Sequence, residues 1–268
     1  MHTVNPLVFV PIGLALSAGI AAFAYRRGSL SRGGVAGAML VGTLHFGFGG
    51  LTWGLTLIAF FISSTFLSTY KEREKEPVAA QYAKGGRRDF GQTLANGGIG
   101  AILAVCFNLQ PTAWLFTAFV GVMATVAADT WATELGVLSC RPPRLITSGR
   151  VVAAGTSGGI TPLGMGATLA GGLAMGLIAW GLAATFGSGS GAWWIAIIGL
   201  VAGLVGSLAD SLLGATVQAQ YRDATGVITE KKGGVRIRGV AWMTNDAVNL
   251  LSSLIGAVAG AVLGLGLS

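Results

Sequence analysis

Residues 112–136 read TAWLFTAFVGVMATVAADTWATELG, an apolar run long enough to cross a membrane, with its only acids near its end. A hydrocarbon core of about 30 Å needs about 20 apolar residues in a helix. Similar runs fill most of the chain, and of its 268 residues 53% are hydrophobic and only 10% are charged. Soluble domains carry about 25% charged residues. The sequence therefore predicts an all-α, polytopic integral membrane protein, with residues 1–268 forming a single membrane-embedded domain.

Eight apolar stretches are predicted to be transmembrane helices. They cover residues 6–25, 33–51, 52–70, 93–109, 112–136, 161–186, 192–217 and 242–267. The second and third stretches adjoin each other, so the prediction requires a tight turn at Gly49-Gly50. The first stretch has no positive charge before it, which favours a retained helix over a cleaved signal peptide.

The positive charges decide the predicted orientation. All 17 Lys and Arg residues fall in alternate loops, which are the first, third, fifth and seventh connections between the predicted spans. Loops rich in Lys and Arg stay on the cytoplasmic side. Eight spans of the cell membrane, with both termini on its outer side, satisfy this rule for every basic residue. Seven or nine spans would put some basic cluster on the wrong side. The net charge of +7 also suits contact with anionic membrane lipids. Nucleic acid is not an expected partner, because the basic residues are dispersed and lack interleaved aromatics.

Other polar residues are less informative. Cys106 and Cys140 fall near opposite ends of predicted helices, so no disulfide is expected. His2 and His45 are isolated, which argues against a His-ligated metal. Residues 71–76 (KEREKE) alternate in charge, a pattern typical of a solvated surface segment.

Four acids lie inside or at the edge of apolar spans, where a carboxylate costs about 2.5–3.5 kcal/mol on insertion scales. They are Asp129, Glu134, Asp210 and Asp246. The predicted orientation puts all four in the cytoplasmic third of the membrane, and no basic residue inside the spans is available to neutralise them. Mg²⁺ is a suitable counter-charge because it prefers oxygen ligands. The expected metal-linked carboxylates are Asp129, Asp210 and Asp246. Structural hydrogen bonds or salt bridges between helices are the alternative.

Helical spacing gives these acids polar neighbours on the same face. Asp246, Asn249 and Ser253 recur at intervals of three and four residues, and similar stripes include Asp129 and Asp210. The stripes predict a polar cavity, although polar contacts between helices would give the same pattern. The residues expected to orient the site are Glu134, Asn249 and Asn96.

Glycine-rich and basic loops lie on the same predicted side. Residues 149–159 read GRVVAAGTSGG, and such a run can present backbone N–H groups to a phosphate ahead of a helix N-terminus. It is not a Walker A sequence, so a flexible connector is the alternative. Residues 85–89 (GGRRD) and 231–234 (KKGG) add further candidates. The expected cofactor-binding residues are Arg87, Arg88, Asn96, Arg150, Gly155, Thr156, Ser157, Ser211, Lys231 and Lys232, of which the arginines and lysines are expected to hold phosphates.

Phosphoryl or nucleotidyl transfer to a lipid-borne substrate fits these residues. Metal held by carboxylates bridges nucleotide phosphates, and Arg or Lys offsets the remaining charge. The protein would mainly position the groups, which agrees with the lack of a Cys–His or Ser–His pair. The expected ligands are a nucleoside triphosphate, Mg²⁺ and a phosphorylated lipid.

Several motifs resemble a family of integral membrane proteins long labelled as unknown in function, which includes the plant phytyl-phosphate kinase. The motifs are residues 129–136 (DTWATELG), 155–159 (GTSGG) and 210–218 (DSLLGATVQ), with similarity also at 30–34, 92–97 and 245–249. The resemblance implies a CTP-dependent, Mg²⁺-dependent kinase. Such an enzyme converts an isoprenyl monophosphate, of phytyl or geranylgeranyl type, to the diphosphate.

A more distant likeness to CTP-dependent dolichol kinases and phosphatidate cytidylyltransferases implies similar chemistry. Asp129, Gly155, Asp210 and Asp246 follow the order of their acidic and glycine-rich motifs. The sequence lacks the Lys and Glu of their basic loop, which argues against phosphatidate as substrate. The alternatives are a transporter or flippase for a phosphorylated lipid or anion, a lipid cytidylyltransferase, and a non-catalytic scaffold. A homodimer is a further alternative.

Overall fold

The protein is mainly helical, as the sequence predicts. A computed structural model describes residues 3–80, 82–187 and 192–267. The helices are α1 (Pro6–Arg26), α2 (Arg32–Thr69), α3 (Glu72–Ala79), α4 (Phe90–Leu109), α5 (Ala113–Gly136), α6 (Pro162–Phe186), α7 (Trp194–Thr216) and α8 (Asn245–Leu267). Within those ranges, seven helices are long and apolar enough to cross a membrane, and the short α3 is the exception.

The longest helix, α2, consists of two arms that fold back on each other. Gly50 interrupts the helix with φ 72° and ψ −160°, a conformation that is essentially restricted to glycine. At the start of α2, the Ser31 backbone N–H donates to the Arg88 carbonyl. Near the end of α2, Ser64 and Thr65 accept hydrogen bonds from the Arg88 side chain. Both ends of α2 therefore reach Arg88, and the chain reverses where the sequence predicts a turn. The count of eight spans and the outside position of the termini stay predictions.

Helix α5 occupies the centre of the bundle. Residues 115–128 are all buried, between α2, α4, α6, α7 and α8. Trp53 of α2 stacks on Phe119 of α5 with ring centroids 4.0 Å apart, and Phe107 of α4 packs beside it. A helix that is apolar on every face is stable only when it is surrounded in this way. Asp129 follows directly after this buried stretch, where the core of the bundle ends.

Glycine allows α5 and α8 to approach each other closely. A Cβ atom on Gly121 would collide with the carbonyl oxygen of Gly256. Between helices in lipid, close packing of small residues takes the place of the hydrophobic effect. Gly121 and Gly256 therefore serve close helix packing, as the sequence predicts for glycine inside apolar stretches.

Two small sheets order the loops, which the all-α prediction did not anticipate. The strands are β1 (Arg144–Leu145), β2 (Gly159–Ile160), β3 (Gln220–Arg222), β4 (Ile228–Thr229) and β5 (Val235–Arg238). Strands β1 and β2 pair antiparallel, and β3 lies between β4 and β5 with antiparallel pairing on both sides. The backbone groups of these loops are satisfied by pairing with one another.

Four loops meet at one end of the bundle. They are residues 27–31, 70–89, 137–161 and 217–244, and with the adjoining helix ends they contain all 17 Lys and Arg residues. The first loop contacts the second through the bridge between Leu30 and Arg88. The second, third and fourth loops line a common cavity. We call this part of the molecule the basic end.

The glycine contact between α5 and α8 predicts a stability difference. Gly121→Ala places a methyl group against the Gly256 backbone, so we expect a loss of about 1–3 kcal/mol in stability. Gly181→Ala is the matched control, because a Cβ at Gly181 of α6 meets nothing within 4 Å. Thermal unfolding in detergent should show a lower Tm for the first variant and an unchanged or higher Tm for the second. Equal melting temperatures would contradict the close contact.

Candidate active site

A polar cavity of about 1160 Å³ opens at the basic end. It is lined by the ends of α2, α5 and α7, by the starts of α4, α6 and α8, and by the loops between them. Thirteen of the fifteen predicted site residues lie in its wall: Asp129, Glu134, Asp210, Asp246, Asn249, Arg88, Asn96, Gly155, Thr156, Ser157, Ser211, Lys231 and Lys232. The fold therefore brings most of the predicted residues together, and their chemical roles stay predictions.

Two acids in the described part of the chain face the cavity without an ion pair to Lys or Arg. Asp129 of α5 and Asp210 of α7 are close enough to interact electrostatically. Neither forms an ion pair with any Lys or Arg in the described ranges. Asp210 accepts a hydrogen bond from Ser252 Oγ at 2.9 Å, which fixes the orientation of its carboxylate. Two like charges away from bulk water repel each other, so this pair favours a positively charged ligand.

Asp246, the third expected metal ligand, is held by a lysine instead. Lys84 Nζ donates to Asp246 Oδ2 and lies 2.7 Å from Asp89 Oδ2. Burial opposes the charge of this lysine, but the hydrogen bonds to Asp246 and Asp89 outweigh it and raise the pKa of Lys84. The sequence argument considered only basic residues inside the spans, whereas a lysine from a loop reaches Asp246 and supplies its counter-charge.

The remaining pair still fits Mg²⁺. Among the residues that the structure describes, no three Asp, Glu, His or Cys side chains are close enough to hold a metal together. This corrects the expected trio of Asp129, Asp210 and Asp246. Mg²⁺ is commonly bound by only one or two carboxylates, and substrate phosphates and water complete its shell. Asp129 and Asp210 match that requirement.

Glu134 forms a buried ion pair with Lys75. Lys75 Nζ lies 2.5 Å from Glu134 Oε2, and Ser68 donates to Glu134 Oε1 at 2.6 Å. Lys75 Nζ also donates to the carbonyl oxygens of Leu67 and Ser68 at the end of α2. The prediction that residues 71–76 form a solvated segment is wrong for Lys75, whose side chain is only 8% exposed. Glu134 therefore joins α5 to α2 and α3, and its negative charge is already balanced by Lys75.

The predicted arginines are placed differently from expectation. Arg87 and Arg150 are exposed and do not line the cavity. Arg88 does line it, but its guanidinium donates to Ser64 and Thr65. Lys231 and Lys232 are exposed in the cavity wall, as binding of a phosphate requires.

The glycine-rich loop is an ordered part of the wall. Arg238 Nη2 donates to the carbonyl oxygens of Ser157 at 3.2 Å and Gly214 at 3.0 Å, which fastens the loop to α7. Gly158 has φ 81°, and a Cβ there would collide with Ala215. The alternative of a flexible connector is therefore corrected, since side chains from a different loop hold this segment in place.

Glu230 is a site residue that the sequence argument missed. Its carboxylate accepts hydrogen bonds from Gln218 Nε2 at 2.7 Å and from Ser157 Oγ at 3.2 Å. Burial raises the pKa of Glu230, and these hydrogen bonds partly offset the effect. The β3–β4 hairpin turns this acid into the cavity. No local signal marks it, because the hairpin depends on pairing between separated segments.

The family model for Integral membrane protein DUF92 matches residues 15–257. The chain belongs to this family. Protein PGR of Arabidopsis thaliana is 37% identical and aligns over 93% of this chain and 93% of its own length. Uncharacterized membrane protein MJ0933 of Methanocaldococcus jannaschii is 28% identical over 98% of each chain. Protein VTE6, chloroplastic, of Arabidopsis thaliana is 25% identical over 85% of this chain and 63% of its own length. No solved structure matches the chain. The predicted membership of an integral membrane family is confirmed.

The Lys75–Glu134 pair predicts a non-additive effect on stability. Lys75→Met leaves a partly buried Glu134 without its cation, and removal of one partner from a buried pair costs about 3 kcal/mol or more. The double variant Lys75→Met/Glu134→Gln should regain much of this loss, since no unpaired charge remains.

Lys71→Met is the control for this cycle. Lys71 pairs with Glu74 on the surface of the same segment, and exposed pairs contribute about 0–1 kcal/mol. Chemical unfolding in detergent measures the wild type, Lys75→Met, Glu134→Gln, the double variant and Lys71→Met. A double variant that is no more stable than Lys75→Met would contradict the pairing.

Proposed function

We propose that the protein is a CTP-dependent prenyl-phosphate kinase, which converts an isoprenyl monophosphate to the diphosphate at the cytoplasmic face of the membrane. The observation that carries the proposal is the pair of Asp129 and Asp210, which form no ion pair with any described Lys or Arg, in a cavity whose wall also presents Lys231 and Lys232. Acids suited to a metal and cations suited to phosphates thus share one space. The resemblance of the motifs supports the prenyl substrate and the nucleotide.

The size of the cavity supports two phosphorylated substrates. Pockets for single small molecules have volumes of about 300–1,000 Å³. The cavity at the basic end measures about 1160 Å³, which leaves room for a nucleoside triphosphate beside a lipid phosphate. Membrane helices form its inner wall, so a lipid can present its headgroup without leaving the bilayer.

Different side chains would bind the metal and the phosphates. Asp129 and Asp210 would hold Mg²⁺, and the metal would offset the charge of the nucleotide phosphates. Lys231 and Lys232 would bind further phosphate oxygens. The segment 155–157 lines the same space, and the backbone N–H groups of Gly155 and Ser157 would be offered to the nucleotide, since that of Thr156 donates to the Ala153 carbonyl.

The transfer needs no strong base from the protein. The second pKa of a phosphate monoester is about 6, so the lipid phosphate is already a dianion in most molecules at neutral pH. One of its oxygens forms a bond to the γ-phosphorus of CTP while the bond from that phosphorus to the β-phosphate oxygen breaks. CDP leaves, and the prenyl diphosphate stays in the membrane. The side chains are thus required to align the two phosphates and to reduce their repulsion.

Replacement of either central acid should abolish most of this activity. For Asp129→Asn and Asp210→Asn, a loss of about 3 kcal/mol of transition-state stabilisation corresponds to about a 100-fold lower kcat. The measurement is transfer of label from [γ-³²P]CTP to geranylgeranyl monophosphate by purified protein with Mg²⁺.

Asp223→Asn is the matched control for this assay. Asp223 accepts hydrogen bonds from Thr225 and Val227 in the β3–β4 turn and does not line the cavity. Its variant should keep wild-type activity. Failure of the wild-type protein to form a diphosphate with any prenyl chain length or nucleotide would refute the proposal. Full activity of Asp129→Asn would refute the assigned metal pair.

A further inference from the structure

A second pocket, of about 80 Å³, adjoins the polar cavity inside the bundle. It lies between α1, the two arms of α2 and the start of α4, and apolar side chains such as Ile20, Leu57 and Phe61 form most of its wall. Arg88, Gln92 and Asn96 line both this apolar pocket and the polar cavity. The two spaces therefore meet at a single polar wall.

Arg88 places a partly buried cation at that wall. Its guanidinium donates to Thr65 Oγ1 at 2.9 Å and to Ser64 Oγ at 3.0 Å, and it lies 5.2 Å from the centroid of the Phe61 ring. Across the described ranges, Arg88 forms no ion pair with a carboxylate. Glu134 is near enough to interact with Arg88 electrostatically but does not pair with it directly. A partly buried cation with no directly bound carboxylate is poorly neutralised, so an anion at this wall would be stabilised.

Asn96 adds a second group suited to an anion. Its side chain faces both spaces and forms no hydrogen bond with any residue that the structure describes. Its amide N–H groups are therefore available as donors, one helical turn after Gln92 on α4. Charge and free donors thus occur together where the apolar pocket begins.

We propose that the apolar pocket holds the part of the prenyl chain next to its phosphate, and that this phosphate lies at the shared wall beside Arg88 and Asn96. The assignment rests on the proposed kinase function, and it names the site of the lipid substrate. An engineered cavity of about 150 Å³ holds benzene. The pocket, at about 80 Å³, therefore has room for no more than about one isoprene unit. The rest of the chain lies along the lipid-facing side of the bundle.

The apolar lining of the pocket favours a lipid with a single hydrocarbon chain joined directly to its phosphate. A diacyl lipid places glycerol and two ester groups between its phosphate and its hydrocarbon. Those polar groups would have to occupy the apolar pocket directly beyond the wall. There, Ser17 and Thr93 are the only polar side chains among the described lining residues apart from those of the wall itself, so most of the ester and glycerol oxygens would lack a partner. A prenyl monophosphate brings hydrocarbon to that position instead.

A photoreactive substrate analogue tests the assignment without turnover. The probe is geranylgeranyl monophosphate with a diazirine on its first isoprene unit, added to the full-length protein in nanodiscs without CTP. Mass spectrometry of the peptides should map the adducts to the pocket wall, chiefly to Leu57, Ile58 and Phe61. Adducts that map outside the pocket, or no adduct, would overturn the assignment.

Two alanines on the same arm of α2 provide a matched pair of variants. Ala38 lines the pocket, whereas Ala36 is exposed and does not. Ala38→Leu fills the pocket, so labelling should fall at least about tenfold and KM for the lipid should rise, with KM for CTP unchanged. Ala36→Leu should behave as wild type in both measurements. Equal labelling of the two variants would contradict the proposal.

The labelling and the kinase assay fail separately. Labelling of the pocket with no phosphoryl transfer under any condition would refute the kinase function and keep the lipid site. Activity together with adducts elsewhere would refute the lipid site and keep the kinase function. The map for the wild-type protein decides the question even where Ala38→Leu does not fold.

Discussion

A carboxylate near the end of a membrane helix must be given a positive partner, and this constraint organises the basic end. Glu134 and Asp246 are satisfied by Lys75 and Lys84, which come from the segment between α2 and α4. These two contacts draw that segment over the helix ends. Asp129 and Asp210 have no such partner in the described part of the chain. The same physical requirement therefore separates acids that hold the fold together from acids suited to a metal.

The rigidity of this site depends on the packing around α5. The helix is buried on all sides along residues 115–128, so it has little freedom to shift when ligands bind at its end. Neighbouring loops are fastened to this frame by polar contacts, chiefly those of Arg238 and Glu230. Acids on the helices and donors on the loops thus keep fixed relative positions, which is what catalysis by positioning requires.

The sequence could predict what depends on local pattern. Long apolar runs predicted the helices, and the glycine pair at 49–50 predicted the reversal of the chain. Polar stripes on the helices predicted a shared cavity. Contacts between segments that are distant in the sequence could not be predicted from local pattern. Nothing near Lys75 indicates that α3 folds inward, and nothing near Glu230 indicates that a hairpin buries it. Arg150 was predicted to bind a phosphate but does not line the cavity. The reason is the same, because the direction of a loop side chain depends on how that loop pairs with other segments.

Asp129 and Asp210 are proposed to hold a divalent metal beside the nucleotide phosphates. Anomalous diffraction from crystals grown with Mn²⁺ and a non-hydrolysable CTP analogue tests this proposal. One or more peaks are expected within coordination distance of both carboxylates, and these peaks should be lost in Asp129→Asn. A structure with ordered nucleotide and no peak between these two acids, or with the metal at Glu230 and Asp246 instead, would contradict it.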